Sequence, residues 1–247
     1  MTNPAEKILP DSADLSPKSV QVERMFDAIS GRYDLLNHSL SMGIDKSWRR
    51  RGISALKPLN PRKILDIATG TGDLAIEAVR RLNPEHVLGI DLSEQMMAIA
   101  REKTERAGLS GRISFERQDC AALTLADNTF DAAIVAFGVR NFENLDLGLS
   151  EILRVIRPEG RLMILELTTP EHFPMKQAYS LYSKAIPTIG RLISGGKSSA
   201  YRYLPESIRA FPQGEAMKKI MENVGYQDVI FKRMTFGICT MYIGTKK

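Results

Sequence analysis

Lys63-Ile64-Leu65-Asp66-Ile67-Ala68-Thr69-Gly70-Thr71-Gly72-Asp73 is the stretch that decides the fold. Ile64, Leu65, Ile67 and Ala68 form a nearly unbroken apolar run, the pattern of a strand covered on both faces. Gly70 and Gly72 follow, and glycines permit tight turning and close approach of backbone to a ligand. Leu74-Ala75-Ile76-Glu77-Ala78-Val79 then reads as a helix whose N-terminal amides face the same crevice. Strand, glycine turn and helix together predict a nucleotide-type cradle.

The pattern repeats along the chain. Glu85–Asp91 reads as a second strand ending in a carboxylate, and Ser93 as the cap of a helix bearing Met96, Met97, Ile99 and Ala100. Ile113–Asp119 alternates like a third strand and runs into Cys120. Phe130–Gly138 is almost wholly apolar and therefore central. Leu145–Ile156 has helical spacing, Pro158-Glu159-Gly160 breaks it, and Arg161–Leu167 is a fifth strand. A helix over Gly214–Val224 and strands over Tyr226–Met234 and Ile238–Thr245 complete the sheet. Strands alternating with helices predict an α/β, Rossmann-like architecture: a seven-stranded, mostly parallel sheet with helices on both faces. Ligands gather at the carboxyl ends of such strands, where Asp66, Asp91, Asp119 and Arg140 fall.

Residues 1–20, with Pro4, Pro10 and Pro17, read as a flexible lead, residues 21–60 as a helical cover, and residues 61–247 as the main domain. Within it, about 170–212 is an insertion placed like a substrate lid. It is broken by prolines, holds short helical runs such as Met175–Ile186, and is rich in bases and in Tyr179, Tyr182, Tyr201 and Tyr203. Gly195-Gly196-Lys197-Ser198 fails as a phosphate loop, because Arg191 stands where the first glycine belongs; it reads as a flexible turn.

Composition narrows the class. The 247 residues, 43% hydrophobic, suffice for a substantial core. No run approaches the roughly 20 apolar residues of a membrane span, and no export signal opens the chain, so a cytoplasmic protein is expected. Cys120, Cys239, His38, His86 and His172 show neither a disulfide framework nor metal-ligand spacing, so no metal is expected. The net charge of +5 is concentrated in Lys46, Arg49, Arg50, Arg51, Lys57, Arg62 and Lys63. A solvated helix face, an anionic-lipid surface and an RNA patch all fit that cluster; the absence of an aromatic platform beside it argues against nucleic acid.

The ligand follows from the acids. Gly70-x-Gly72 continues with Ala75, which suits the dinucleotide fingerprint only at its loosest position. Asp91, 19 residues beyond Gly72, can accept both ribose hydroxyls. Asp66, just ahead of the glycines, sits poorly beside pyrophosphate but well beside a cation. S-adenosylmethionine carries a ribose, no phosphate, an ammonium and a sulfonium. The D-x-x-x-G-x-G spacing of Asp66–Gly72 resembles the first motif of class I S-adenosylmethionine-dependent methyltransferases. On that reading Asp66 faces the cationic amino-acid end, Gly70, Thr71 and Gly72 its methionine chain, Asp91 the ribose, Leu92 the adenine ring, and Asp119 and Cys120 the adenine amine.

Four further blocks carry a family resemblance. Tyr33–Trp48, Phe137–Asn141, Arg154–Thr168 and Ser199–Ile208 resemble the ubiquinone/menaquinone biosynthesis C-methyltransferases, and the similarity runs from about Val22 to the C-terminus. Asp119-Cys120 stands where many relatives have Asn-Ala, Asp45 replaces a common His, and Glu159 replaces a glycine. The resemblance implies methyl transfer from S-adenosylmethionine to the ring carbon of a demethylated polyprenyl quinol, converting demethylmenaquinol to menaquinol. The same chemistry on a ubiquinone precursor, an RNA methyltransferase and a non-catalytic cofactor-binding subunit are the alternatives.

For that chemistry Arg140 and Asn141 are the catalytic candidates: Arg140 to stabilise a developing phenolate, Asn141 to position the quinol oxygen or a water. The plain alternative for Arg140 is an ion pair with Asp119 or Glu143. Asp131, at the amino end of the fourth strand, reads as a structural hydrogen bonder. Tyr33, Asp34 and Asn37 are placed to cover the quinol. A polyprenyl tail further implies peripheral contact at the inner face of the membrane, through the basic cluster and the tyrosine-rich lid. An oligomer is compatible with the sequence.

Overall fold

The computed structural model describes residues 4–35, 41–194 and 200–247, without the side chains of 185–194 and of Tyr201. Seven strands, β1 (Lys63–Ile67), β2 (His86–Asp91), β3 (Ile113–Arg117), β4 (Phe130–Ala136), β5 (Ile156–Leu167), β6 (Gln227–Met234) and β7 (Cys239–Thr245), form one sheet in the order β3-β2-β1-β4-β5-β7-β6. Strands β1 to β5 are parallel, while β7 runs antiparallel to both β5 and β6. The order reverses between β1 and β4, which opens a crevice beyond their carboxyl ends.

Both faces of the sheet are buried, which is why its central strands read as continuous apolar runs. Leu65, Ile67, Ile90 and Val135 pack on one side with Leu149 and Ile152 of helix α5 (Leu145–Val155) and Met217 and Met221 of α8 (Glu215–Val224). Ile64, Ile134, Met163 and Leu165 pack on the other with α3 (Asp73–Leu82) and with Trp48 and Ile53 of α2 (Ile44–Ala55). The 21–60 cover is therefore continuous with the domain core. A smaller cluster joins Val22 and Met25 of α1 (Lys18–Ile29) to Ala200 and Tyr203 of α7 (Ala200–Ala210), which follows α6 (Met175–Ser194). Helix α4 (Glu94–Arg106) follows β2, with the Ser93 hydroxyl accepting from the Met96 amide at 3.1 Å.

Three sequence expectations change. Pro158-Glu159-Gly160 does not separate a helix from a strand: α5 ends at Val155, and β5 begins at Ile156, already paired with Phe130. The triplet is an irregularity inside β5, held by Glu159 N–H to Lys246 O (2.7 Å) and Lys246 N–H to Gly160 O (3.0 Å). Glu159 sits at φ +65°, a left-handed conformation that glycine adopts more easily than a residue with a side chain. Helix α6 runs to Ser194 instead of ending at Ile186. Finally, the lead is tied down at discrete points: Ala5 and Lys18 are buried and Gln21 of α1 bonds Asp11, Asp14 and Ser16, while Leu15 between them is exposed. Its polar groups find partners on the domain, so the prolines shape the lead instead of freeing it. The Gly195–Ser198 turn, Asn37 and His38 lie outside the described residues. No described helix is long and apolar enough to cross a membrane.

Candidate active site: a split crevice beyond β1 and β4

The turn after β1 coils tightly, with Ala68, Gly70 and Gly72 all at positive φ (51°, 55° and 79°). Thr69 N–H returns to Ile90 O (3.0 Å), which ties the turn to β2. Asp91 at the end of β2 completes the tie: Oδ2 accepts from Gly70 N–H at 2.8 Å and Oδ1 from Ser93 N–H at 2.9 Å. Burial raises the Asp91 pKa, and the amides only partly offset it. Gly70, Asp91, Leu92, Asp119, Cys120 and Asn141 all line one cavity of about 870 Å³. Burial pushes the Cys120 thiol up, so it acts there as a neutral, apolar wall.

The remaining turn residues stand behind this wall. Thr71 is buried, and its hydroxyl donates to Asp34 (2.5 Å) and accepts from Lys103 Nζ (3.3 Å), both outside the cavity lining. Gly72 packs against α4, where an added Cβ would lie 3.0 Å from Ala100 Cβ. Asp66 is buried beneath the turn; Oδ2 accepts from the Thr69 hydroxyl (2.6 Å), while Oδ1 has no hydrogen-bond partner. Burial pushes its pKa up to about 7, against the Thr69 bond and with the help of nearby Asp91.

A second cavity, about 1030 Å³, lies on the other side of a shared wall of Phe26, Tyr33 and Phe137. Its lining is apolar and aromatic, including Ile29, Trp48, Tyr179, Tyr203 and Ile208, with Arg49 and Arg140 as its cations. Phe137 leaves β4 at φ +62°, strained for a residue with a side chain. Its ring stacks edge-on against Trp48 (6.1 Å, 64°) under the Arg49 guanidinium (5.4 Å). Arg49, in the cluster that a solvated face, a lipid surface and an RNA patch all fitted, is available to none of the three: it is buried and ion-paired with Asp45. Of the other bases in that cluster, Arg50 approaches Glu77, Arg62 pairs with Glu85, and Lys46, Arg51, Lys57 and Lys63 are exposed.

Arg140 and Asn141 share a single 3-10 turn, Val139–Asn141, and serve different cavities. Arg140 lines the second; Asn141 lines the first and accepts from the Tyr203 hydroxyl at 3.1 Å. Arg140 Nη1 donates to Glu166 Oε1 at 2.7 Å, and the Arg140 amide to Glu166 Oε2 at 3.2 Å. Burial opposes the guanidinium charge, but Glu166, aided by Tyr33 and Tyr203, more than offsets it and raises the pKa. Arg140 Nε is buried without a partner. The ion pair anticipated for Arg140 exists, but with Glu166; Glu143 bonds Ser19 instead. A lone charge within the apolar run Leu162–Leu167 was the signal for Glu166. Tyr203 was marked only as one of the lid tyrosines and Arg49 only as one of a basic cluster; nothing local assigned either to a cavity. Asp131 is structural, accepting from Lys63 N–H (2.9 Å) and pairing with Arg157 (2.6 Å).

Comparison with known proteins agrees with this geometry. The model of the ubiE/COQ5 methyltransferase family matches residues 15–246. A demethylmenaquinone methyltransferase of Bacteroides fragilis is 58% identical over 247 residues, all of both chains. Among solved structures, a SAM-dependent methyltransferase from Thermotoga maritima superposes with a TM-score of 0.63 at 18% identity, covering 91% of this chain and 99% of that one. The cyclase SpnF does so with a TM-score of 0.62 at 19% identity, covering 94% and 97%. These two share the fold; the family rests on the first two matches, and by them this chain belongs to the ubiE/COQ5 methyltransferase family.

Proposed function

We propose that the chain methylates a ring carbon of a demethylated polyprenyl quinol, converting demethylmenaquinol to menaquinol with S-adenosylmethionine as methyl donor. The observation that carries this reading is the pair of cavities sharing one aromatic wall: a carboxylate-ended one for the donor and an aromatic, cationic one for the acceptor. The relative of that name, alike over its full length, points to the naphthoquinol.

The first cavity fits the donor. Asp91 keeps lone pairs free for ribose hydroxyls after accepting its two amides. Leu92, Met96 and Cys120 supply apolar surface for a planar base, with the Asp119 carboxylate beside them. The unpartnered Oδ1 of Asp66 supplies a negative end beneath the turn. When bound, S-adenosylmethionine supplies an electrophilic methyl on its sulfonium. Thr71 and Gly72 shape the turn from behind instead of contacting the ligand.

On the acceptor side, a free phenol with a pKa near 10 costs about 4 kcal/mol to ionise at pH 7. Arg140, permanently charged and a poor base, lowers that cost by holding its guanidinium, with a free Nε–H, at the cavity wall. Asn141, oriented by Tyr203, positions the quinol oxygen or a water at the junction of the cavities. Tyr33 and Phe137 exclude solvent between them.

A prenyl tail stays in the bilayer, since each CH₂ buried is worth about 0.8 kcal/mol. Exposed Met42, Leu181 and Phe236 lie within two residues of Ser41, Tyr182 and Ile238, which line the second cavity, and this favours peripheral contact around its mouth. Failure to sediment with anionic liposomes at low salt would remove that contact. The function itself is tested with purified protein, S-adenosylmethionine and a demethylmenaquinol analogue. A ring-methylated product is expected, and its absence under reducing conditions refutes the reading.

A further inference from the structure

Lys18 opens α1 and is only 3% exposed, although an ammonium is costly to bury. Its three N–H donors are all used, and all on backbone carbonyls: Ala5 O at 2.7 Å, Phe142 O at 3.2 Å and Arg140 O at 3.3 Å. Arg140 and Phe142 are the two neighbours of Asn141, so one side chain grips the backbone on either side of it. The same junction is closed twice more. Glu6 Oε1 accepts from Leu145 N–H at 3.0 Å, and Glu143 Oε2 accepts from the Ser19 hydroxyl at 2.6 Å and its amide at 3.1 Å.

The Val139–Asn141 turn has little to hold itself. Asn141 N–H reaches Gly138 O (3.0 Å) and Phe142 N–H reaches Val139 O (3.1 Å), a single turn of backbone bonding. At its end the carbonyls of Arg140 and Phe142 take hydrogen bonds from Lys18. We infer that Lys18 is a positioning residue for methyl transfer: it docks the Ala5–Lys18 segment onto Arg140-Asn141-Phe142 and so sets where the guanidinium and amide stand between the two cavities. The inference rests on the methyltransferase reading for its consequence, and on the hydrogen bonds alone for its geometry.

The charge environment supports a pH signature. Glu6 from the lead and Glu143 and Arg140 from the turn face the ammonium. Burial dominates and pushes Lys18 down to about 8, with the two glutamates working against it and Arg140 with it. A neutral amine has two N–H donors and no charge, so the grip slackens as pH rises past about 8. That limb falls with pH, opposite to the rise that phenol ionisation gives.

The test compares wild type with Lys18→Met, which keeps the length and removes the donors. Hydrogen exchange at the Asn141 and Phe142 amides should speed up by at least about tenfold. The kcat on a demethylmenaquinol analogue should fall by about 10- to 100-fold, the cost of a misplaced catalytic group. Because Asn141 and Phe142 line the donor cavity, the Kd for S-adenosylmethionine should weaken by less than kcat falls, and the falling limb above pH 8 should vanish. Unchanged exchange, kcat within about twofold of wild type, or an equal loss of cofactor affinity overturns the inference. Should Lys18→Met fail to fold, Lys18→Gln, which keeps two N–H donors without the charge, is read by the same exchange and kcat measurements, and wild-type values in both overturn it. If wild type transfers no methyl group at all, the function reading fails while exchange in the variant still decides the docking.

Discussion

Glu166→Gln is the sharpest probe of how the acceptor cavity is held. Glu166 is fully buried and Arg140 nearly so, with side-chain exposures of 0% and 7%. The carboxylate accepts from Arg140 Nη1 (2.7 Å), the Arg140 amide (3.2 Å) and the Leu167 amide (2.8 Å). Glutamine keeps one acceptor oxygen and turns the other position into a donor facing another donor. It also leaves the guanidinium charge uncompensated in a low-dielectric site. Breaking a buried pair by removing one partner costs about 3–5 kcal/mol, a large share of the roughly 5–15 kcal/mol that holds a domain folded. For a domain of this size that corresponds to a Tm lowered by roughly 6–20 °C.

Urea unfolding followed by circular dichroism reads the loss directly. The control is Arg140→Met with Glu166→Leu, which removes both charges at similar volume; such replacements are often neutral or stabilising. The double variant should fold and bind S-adenosylmethionine but transfer no methyl group. A loss below about 1 kcal/mol for Glu166→Gln would mean the charge is compensated elsewhere, and the account of Arg140 would be wrong. Wild-type turnover by the double variant would remove the guanidinium from the chemistry altogether.

Three other variants have expected outcomes. Asp66 binds its proton up to about pH 7 in the fold but only to about 4 when unfolded, so its stabilising contribution is full below about pH 4 and lost as pH rises through about 7; Asp66→Asn should remove that slope from denaturation curves between pH 5 and 8, and equal slopes would contradict it. If the same carboxylate faces the cationic end of the donor, wild-type affinity should tighten from pH 6 to 8 while the variant's stays flat in calorimetry. Gly138→Ala places a Cβ 2.6 Å from Ala68 Cβ, and should cost about 1–3 kcal/mol and weaken cofactor binding; an unperturbed Tm would show that the two turns yield freely. Tyr203→Phe should lower kcat about tenfold and weaken cofactor Kd by less, because it frees Asn141, which lines the donor cavity at its junction with the second; kcat within about twofold of wild type would show that this bond does not hold Asn141 for the chemistry.

What was legible in the chain was what is local. The β1 run, the glycine turn and Asp91 announce themselves within about thirty residues, and the strand-end position of Asp91 follows from the β2 pattern alone. The direction of a side chain is another matter. Thr71 sits in the right turn, but Asp34 and Lys103, from elements far apart in sequence, draw its hydroxyl away from the cavity. Pro158-Glu159-Gly160 looks like any helix stop, and the distant backbones of Phe130 and Lys246 make it part of a strand. Arg140 was placed correctly at the end of β4, yet its partner stands on β5, a neighbour known only once the sheet order is known. Lys18 is the extreme case: its carbonyl partners on the turn are 122 and 124 residues away, and nothing in a proline-spaced lead signals them.

Because a cyclase shares this sheet, the sheet cannot be what selects the chemistry, and the selection has to come from how the two turns beyond β1 and β4 are seated. Both leave their strands in the left-handed region, at Ala68 and at Phe137. They touch where Gly138 lies against Ala68, so tightly that no side chain fits between them. The donor turn is anchored by β2 through Asp91 and Thr69. The turn after β4 is anchored partly by β5, through Glu166 on the Arg140 amide and guanidinium and Leu165 O on the Phe137 amide, and partly by helices outside the sheet: Trp48 and Arg49 of α2 against Phe137, Tyr203 of α7 on Asn141, and Lys18 of α1 on the backbone between. The contact between the turns makes any displacement of the acceptor side a displacement relative to the donor. On the proposed reading, the spacing between donor and acceptor is therefore set jointly by the sheet and by the helices that cover it, and a different cover on the same sheet is free to bring different atoms together.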